Sequence, residues 1–158
     1  MDLTRYRPNV GVVLFNAQGQ TWYGHRAGMP PEIGWQFPQG GVDDGEGLEA
    51  AARRELAEET GVRSVRMIAR TPGWLAYDYP AGMGGSKAAR GWKGQKQVWF
   101  AFRFEGPESE IDLNADQHVE FDAWRWGALS DAPNLIVAFK RGVYVQVASA
   151  FSDLAGPM

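Results

Sequence analysis

Gly40-Gly41-Val42-Asp43-Asp44-Gly45-Glu46-Gly47-Leu48-Glu49-Ala50-Ala51-Ala52-Arg53-Arg54-Glu55-Leu56-Ala57-Glu58-Glu59-Thr60-Gly61-Val62 reads as a glycine-rich loop, one helix and a glycine stop. Asp43 with Glu46 three residues later resembles a capping box, no proline breaks the run from Gly47 to Thr60, and Gly61 supplies the left-handed residue that ends many helices. That length predicts about four turns. At ~100° per residue, Leu48, Ala51, Ala52 and Leu56 share one sector, with Ala50, Arg53, Ala57 and Thr60 on the far side. Glu55 and Glu59 fall inside the apolar sector, and Glu58 at its edge. A buried unpaired carboxylate is costly, and like charges at i,i+3 and i,i+4 repel by roughly 0.2–0.5 kcal/mol per pair even in water. A positive partner is therefore expected there. Oxygen donors with no cysteine or histidine nearby suit a hard divalent cation, Mg²⁺ or Mn²⁺, better than zinc. The plain alternative is a solvated acidic helix edge.

Working outward, Asn9 to Phe15 and Thr21 to Arg26 read as strands of a hairpin joined by Asn16-Ala17-Gln18-Gly19-Gln20, and Trp35-Gln36-Phe37 as a short strand leading to Pro38-Gln39-Gly40-Gly41. Beyond the helix, Val62 to Arg70, Trp74 to Tyr79, Gln97 to Phe104 and Val119 to Trp126 are expected strands, with a mobile glycine-rich loop from Pro80 to Gly94. Ile136, Val143, Val147 and Phe151 carry helical spacing near the C-terminus. The order, strands, helix, strands and a terminal helix, predicts an α/β fold, a mixed sheet covered on both sides by helices. The 158 residues fit one domain spanning 1–158.

Composition narrows the class. Seven tryptophans, eight phenylalanines and five tyrosines supply enough apolar bulk for a core, and the absence of cysteine excludes a disulfide framework and a thiolate zinc site. The first residues lack an apolar leader and no stretch approaches the ~20 apolar residues of a membrane helix, so a cytoplasmic protein is expected. A net charge of −3 argues against bulk nucleic-acid coating, and no DNA partner is expected. The charge is nevertheless segregated. Tyr79 to Phe104 holds no acid but carries Lys87, Arg90, Lys93, Lys96 and Arg103, whereas Glu105 to Asp122 holds seven acids and no lysine or arginine. That pattern suggests a cationic surface for a polyanion beside an acidic, cation-holding segment, with simple solvation as the bland reading.

Gly40, five residues, Glu46, seven residues, Arg54-Glu55, Leu56, one residue, Glu58-Glu59, one residue and Gly61-Val62 match every fixed position of the Nudix box. The chain thus resembles the Nudix hydrolase superfamily, which implies an α/β/α sandwich and metal-dependent hydrolysis of nucleoside diphosphate linkages. By that resemblance Glu55, Glu58 and Glu59 bind Mg²⁺ or Mn²⁺, with more than one ion per site, and Arg54 pairs with a box carboxylate, plausibly Glu46. Gly40 and Gly41 let backbone approach metal and phosphate. Glu120 is the candidate outside the box, either completing the metal shell or acting as general base, a role left open between Glu58 and Glu120.

Further blocks narrow the branch. Tyr6-Arg7-Pro8-Asn9-Val10-Gly11, Trp35 to Gly41, Gly94-Gln95-Lys96-Gln97, Glu120-Phe121-Asp122 and Phe139-Lys140-Arg141 resemble the bacterial RNA pyrophosphohydrolase and dinucleoside polyphosphate hydrolase branch. The resemblance implies 5′-triphosphorylated RNA as substrate, shortened to a 5′-monophosphate, or asymmetric cleavage of diadenosine tetraphosphate. It suggests Phe139 as a stacking platform, with Arg7, Arg26, Gln39, Tyr77, Gln95 and Lys140 around the phosphates. A catalytically silent nucleotide-binding module is the reading from another class, against which the three retained carboxylates argue.

Overall fold

The computed structural model describes residues 2–81 and 91–156. The strands are β1 (Tyr6–Phe15), β2 (Thr21–Arg26), β3 (Trp35–Gln36), β4 (Gln39–Gly41), β5 (Val65–Arg70), β6 (Leu75–Asp78), β7 (Gly94–Phe104) and β8 (Phe121–Gly127). Helix α1 (Leu48–Thr60) follows β4, and α2 (Ala132–Leu135) and α3 (Arg141–Ala150) follow β8. Most of the loop expected over 80–94, with Lys87 and Arg90, lies outside the described residues.

Strands β1 and β7 form the spine. They run parallel in unbroken register from Tyr6 opposite Gly94 to Phe15 opposite Arg103. Both are largely apolar because both faces of this pair are covered. Alternation along the strands sends Val10, Val12, Leu14, Val98, Phe100 and Phe102 to one layer, with Ala51, Ala52 and Leu56 of α1. The other face sends Val13, Phe15, Trp99 and Ala101 against Tyr144 and against Ile136, Val143, Val147 and Phe151, the residues whose helical spacing marked the C-terminal region. Gly11 lies opposite Trp99, and a Cβ at position 11 would enter the indole ring.

The expected hairpin is real but brief. Strands β1 and β2 meet at Phe15 opposite Thr21, after which β2 pairs with β8 and β3 while β1 pairs with β4. The two arms therefore diverge, and the divergence opens the cleft described below.

Three local expectations need correction. The stretch Gln39–Gly41, expected as the approach to a glycine-rich loop, is strand β4, whose Gln39 and Gly40 pair with Gly11 and Val10. The Asp43–Glu46 pair does not cap α1, whose N-cap is Gly47 without a side-chain bond. Instead the Asp43 N–H donates to Glu46 Oε1 at 3.0 Å, closing a turn before the helix. Ala57 and Thr60, assigned to the far side of the wheel, are buried, because the segment after β7 folds over the helix end and the Asp112 N–H donates to the Thr60 carbonyl at 2.7 Å. Gly61 ends the helix as expected, at φ 78° with its N–H donating to Ala57.

The acidic segment is more committed than its charge suggested. Glu110 accepts the N–H groups of Arg63 and Ser64 at 2.6 and 2.9 Å, Glu108 accepts the Trp126 indole N–H at 2.9 Å, and Glu105 pairs with Arg66 at 3.3 Å. These acids hold the fold's own backbone and side chains, leaving Glu120 as the member of the run that reaches the cleft.

Candidate active site

The cleft between the diverging arms has walls of different chemistry. Helix α1 and the approach to β8 contribute Glu55, Glu59 and Glu120; β1 and β2 contribute Arg7 and Arg26; Gly40 and Gly41 of β4 form a backbone edge. Asn9, Gln36, Gln39 and Gln95 supply neutral amides. Acids beside arginines in one concavity suit a polyanion that arrives with cations.

Arg54 fixes the acidic wall to the glycine loop. Its guanidinium holds Glu46 in two hydrogen bonds, Nε to Oε2 at 2.8 Å and Nη2 to Oε1 at 3.0 Å, and Nη2 also donates to the Gly41 carbonyl at 2.9 Å. Its remaining nitrogen reaches Glu55 at 2.9 Å and Glu58 at 3.2 Å. This fork keeps the Glu46 carboxyl down at about 2, so the bidentate pair stays ionised at every working pH. Glycine at position 40 leaves room for the Glu55 carboxylate, which a Cβ there would push aside.

Glu59 has no such relief. It is 6% exposed, and its Oε2 has no hydrogen-bond partner. Burial, then the charges of Glu55 and Glu120, push its carboxyl well above the ordinary value; burial likewise raises Glu55. An orphaned, desolvated carboxylate oxygen facing two more carboxylates is the donor set a hard divalent cation fits. Among the described residues no three acidic or imidazole groups are already gathered as a closed cage. The reason is visible in their partners: Glu55 and Glu58 lean to Arg54, and Glu120 lies 3.4 Å from His118 Nε2.

The remaining expected residues fall in two groups. Arg7, Arg26, Gln39, Gly40, Gly41 and Gln95 line the cleft together with Glu55, Glu59 and Glu120. Glu58 and Arg54 stand behind that lining, Glu58 being 43% exposed in its side chain. Tyr77, Phe139 and Lys140 form an adjoining cluster: the Tyr77 and Phe139 rings lie 5.6 Å apart, with Lys140 Nζ 5.8 and 5.9 Å from their centres. Tyr77 is buried and its hydroxyl donates to Gln95 Oε1, so it holds a cleft wall from behind. Lys140, expected at the phosphates, is buried, and Phe139, expected as the stacking platform, is half-buried against the terminal-helix core.

Three residues of the amide wall escaped the sequence reading. Asn9 and Gln36 line the cleft, and Gln97 donates to Asn9 Oδ1 at 2.8 Å and Gln39 Oε1 at 2.7 Å while accepting from the Trp99 indole at 3.1 Å. The available signal was a polar amide inside an otherwise apolar strand, which is expensive unless partnered.

The loop, helix and carboxylate face are those of a NUDIX domain: that family's model matches residues 5–147, and the chain belongs to the family. Within it, the RNA pyrophosphohydrolase of Caulobacter vibrioides is 63% identical over 156 residues, covering 98% of this chain and 91% of its own length. The RNA pyrophosphohydrolase of Rhizobium meliloti is 47% identical over 159 residues, covering 94% and 95%. Among solved structures, the E. coli dihydroneopterin triphosphate pyrophosphohydrolase superposes with a TM-score of 0.68 at 20% identity over 92% of this chain and 98% of its own. A C. elegans Ap4A hydrolase does so at 0.64 and 21% over 93% and 98%. At those identities the likeness establishes the fold, an α/β/α Nudix sandwich. Nudix hydrolases generally use divalent metal ions.

Proposed function

We propose that this protein is an RNA pyrophosphohydrolase that releases pyrophosphate from a 5′-triphosphate end and leaves a 5′-monophosphate. The observation that carries the reading is the buried, unpartnered Glu59 oxygen opposite Glu55 and Glu120, in a cleft that also holds Arg7 and Arg26. The RNA pyrophosphohydrolases at 63% and 47% identity support RNA as the substrate class.

In this reading Glu55, Glu58, Glu59 and Glu120 hold Mg²⁺ or Mn²⁺, more than one ion per site. When bound, these ions neutralise phosphate oxygens and lower the pKa of water. The chain's own residues do the rest. Arg7 and Arg26 draw in the polyphosphate, and Gln39 and Gln95, fixed by Gln97 and Tyr77, present oriented amides to it. Arg54 keeps the glycine loop and Glu55 in one arrangement, and Glu58 or Glu120 accepts the proton of the attacking water. Phe139, packed beside the buried Lys140, receives the first base of the RNA by stacking. Among the described residues no helix is long and apolar enough to cross a membrane; a cytoplasmic location, where RNA is met, completes the proposal.

The test is to give purified protein Mg²⁺ with triphosphorylated RNA or, separately, diadenosine tetraphosphate. Pyrophosphate release from RNA with the higher kcat/KM is expected. A tenfold advantage for the dinucleotide reverses the assignment, and no turnover of either by folded protein returns the chain to a binding role.

A further inference from the structure

His25, at the end of β2, is 6% exposed. Its Nδ1 lies 2.7 Å from Asp122 Oδ1, and its Nε2 lies 2.9 Å from the Pro30 carbonyl oxygen. A carbonyl and an ionised carboxylate only accept, so both contacts are hydrogen bonds only when both ring nitrogens carry protons. Three segments converge on that ring: β2, the turn after it, and the start of β8.

The junction has a defect that needs holding. Across the β2–β8 ladder His25 pairs with Ala123 but Arg26 pairs with Phe121, leaving Asp122 as the bulged residue. Arg26 and Glu120, on opposite strands just past this bulge, both enter the cleft, and the Ala27 N–H donates to the Glu120 carbonyl at 3.1 Å. Where the bulge sits therefore decides where a cleft arginine and a cleft carboxylate stand.

We propose that His25 is a positioning residue: as a doubly donating imidazolium it locks the β8 bulge and so sets Arg26 and Glu120 opposite Glu55 and Glu59. This rests on the pyrophosphohydrolase reading of the cleft. The surroundings agree. The Pro30 carbonyl and then Asp122 outweigh burial and raise the ring above its ordinary value. Asp122 is the acid that faces it; Arg26 is its chain neighbour, and Arg125 stacks 4.1 Å over Trp35, whose ring lies 5.1 Å from the histidine.

The chain has two histidines, His25 and His118, so an ¹⁵N-histidine NMR spectrum is simple, and His118→Gln assigns it. Both His25 nitrogens are expected to be protonated at pH 7.5. Glutamine has one donor nitrogen and cannot serve acceptors on both sides; arginine can. His25→Gln should lower kcat on triphosphorylated RNA at least tenfold, with KM changing less than threefold, and His25→Arg should return kcat to within threefold of the parent. Amide resonances of Arg26 and Glu120 should move in His25→Gln and return in His25→Arg, a readout that stands even if RNA is not the substrate. A neutral ring at pH 7.5, a smaller kcat loss in an active parent, resonances that do not move, or no recovery with arginine overturns the proposal.

Discussion

Helices α1 and α3 cover opposite faces of one sheet with opposite priorities. Helix α3 buries Val143, Tyr144 and Val147, and Tyr144 stacks on Phe37 at 5.2 Å while its hydroxyl accepts the Phe37 N–H at 3.1 Å. The polar atom that α3 buries, the Tyr144 hydroxyl, is thus partnered. Helix α1 packs through Ala51, Ala52, Leu56 and Ala57, small enough to bring its backbone close to the sheet, and gives part of the same face to Glu55 and Glu59. One helix is optimised for stability, and the other carries an electrostatic debt that a ligand must settle.

The contrast is sharpest in single substitutions. Glu59→Gln should lower kcat/KM about 10²–10³-fold, the loss typical of removing one group that organises transition-state charge. The same change should leave thermal stability in metal-free buffer equal or higher, because a buried charge is lost. A clear drop in Tm would place Glu59 with the packing residues instead. Tyr144→Ala should do the reverse, costing about 3–5 kcal/mol in chemical denaturation through the cavity it leaves. Activity per folded molecule should persist under stabilising conditions, and its disappearance there would join the two faces into one site.

Gly40→Ala comes next in size. The added methyl displaces the Glu55 carboxylate, so turnover should fall at least tenfold while the unfolding midpoint moves little. Normal turnover would show that Glu55 need not stand where it does.

The smallest effect is in pH dependence. Glu55 and Glu59 are held above the ordinary carboxyl value of 4.5, chiefly by burial, so the native chain binds these protons more tightly than the unfolded one. Their contribution is complete below 4.5 and is lost as pH rises through their raised values. Glu46, held down to about 2 by Arg54, has the opposite sign: its contribution is present above 4.5 and lost as pH falls toward 2. In chelator, Tm should therefore decline on raising the pH from 4.5, more steeply in the parent than in Glu59→Gln. Parallel curves would remove Glu59 from the account.

How much of this was legible follows from where the information lies. The helix, its glycine stop and the inward glutamates could be read because their spacing is contiguous and periodic. The Arg54–Glu46 pair could be expected only from family likeness, since seven residues separate the partners and Glu46 lies before the helix begins. The amide wall was hidden because Asn9, Gln36, Gln39, Gln95 and Gln97 come from four strands, and no local pattern says that they meet. The burial of Lys140 over Tyr77 was hidden because nothing around it in sequence announces that it folds in. The capping signature was misplaced by one turn, since the Asp43–Glu46 contact closes a turn ahead of the helix, which begins only after Gly47.

The parallel register of β1 on β7 has a consequence for mutation. Side chains alternate with a period of two, so a one-residue insertion early in β1 would turn the strand over. Asn9 would leave Gln97, Gly11 would no longer make room for the Trp99 indole, and the valines of one layer would be pressed into the other. The sequence of β1 is therefore intolerant of any change in its count.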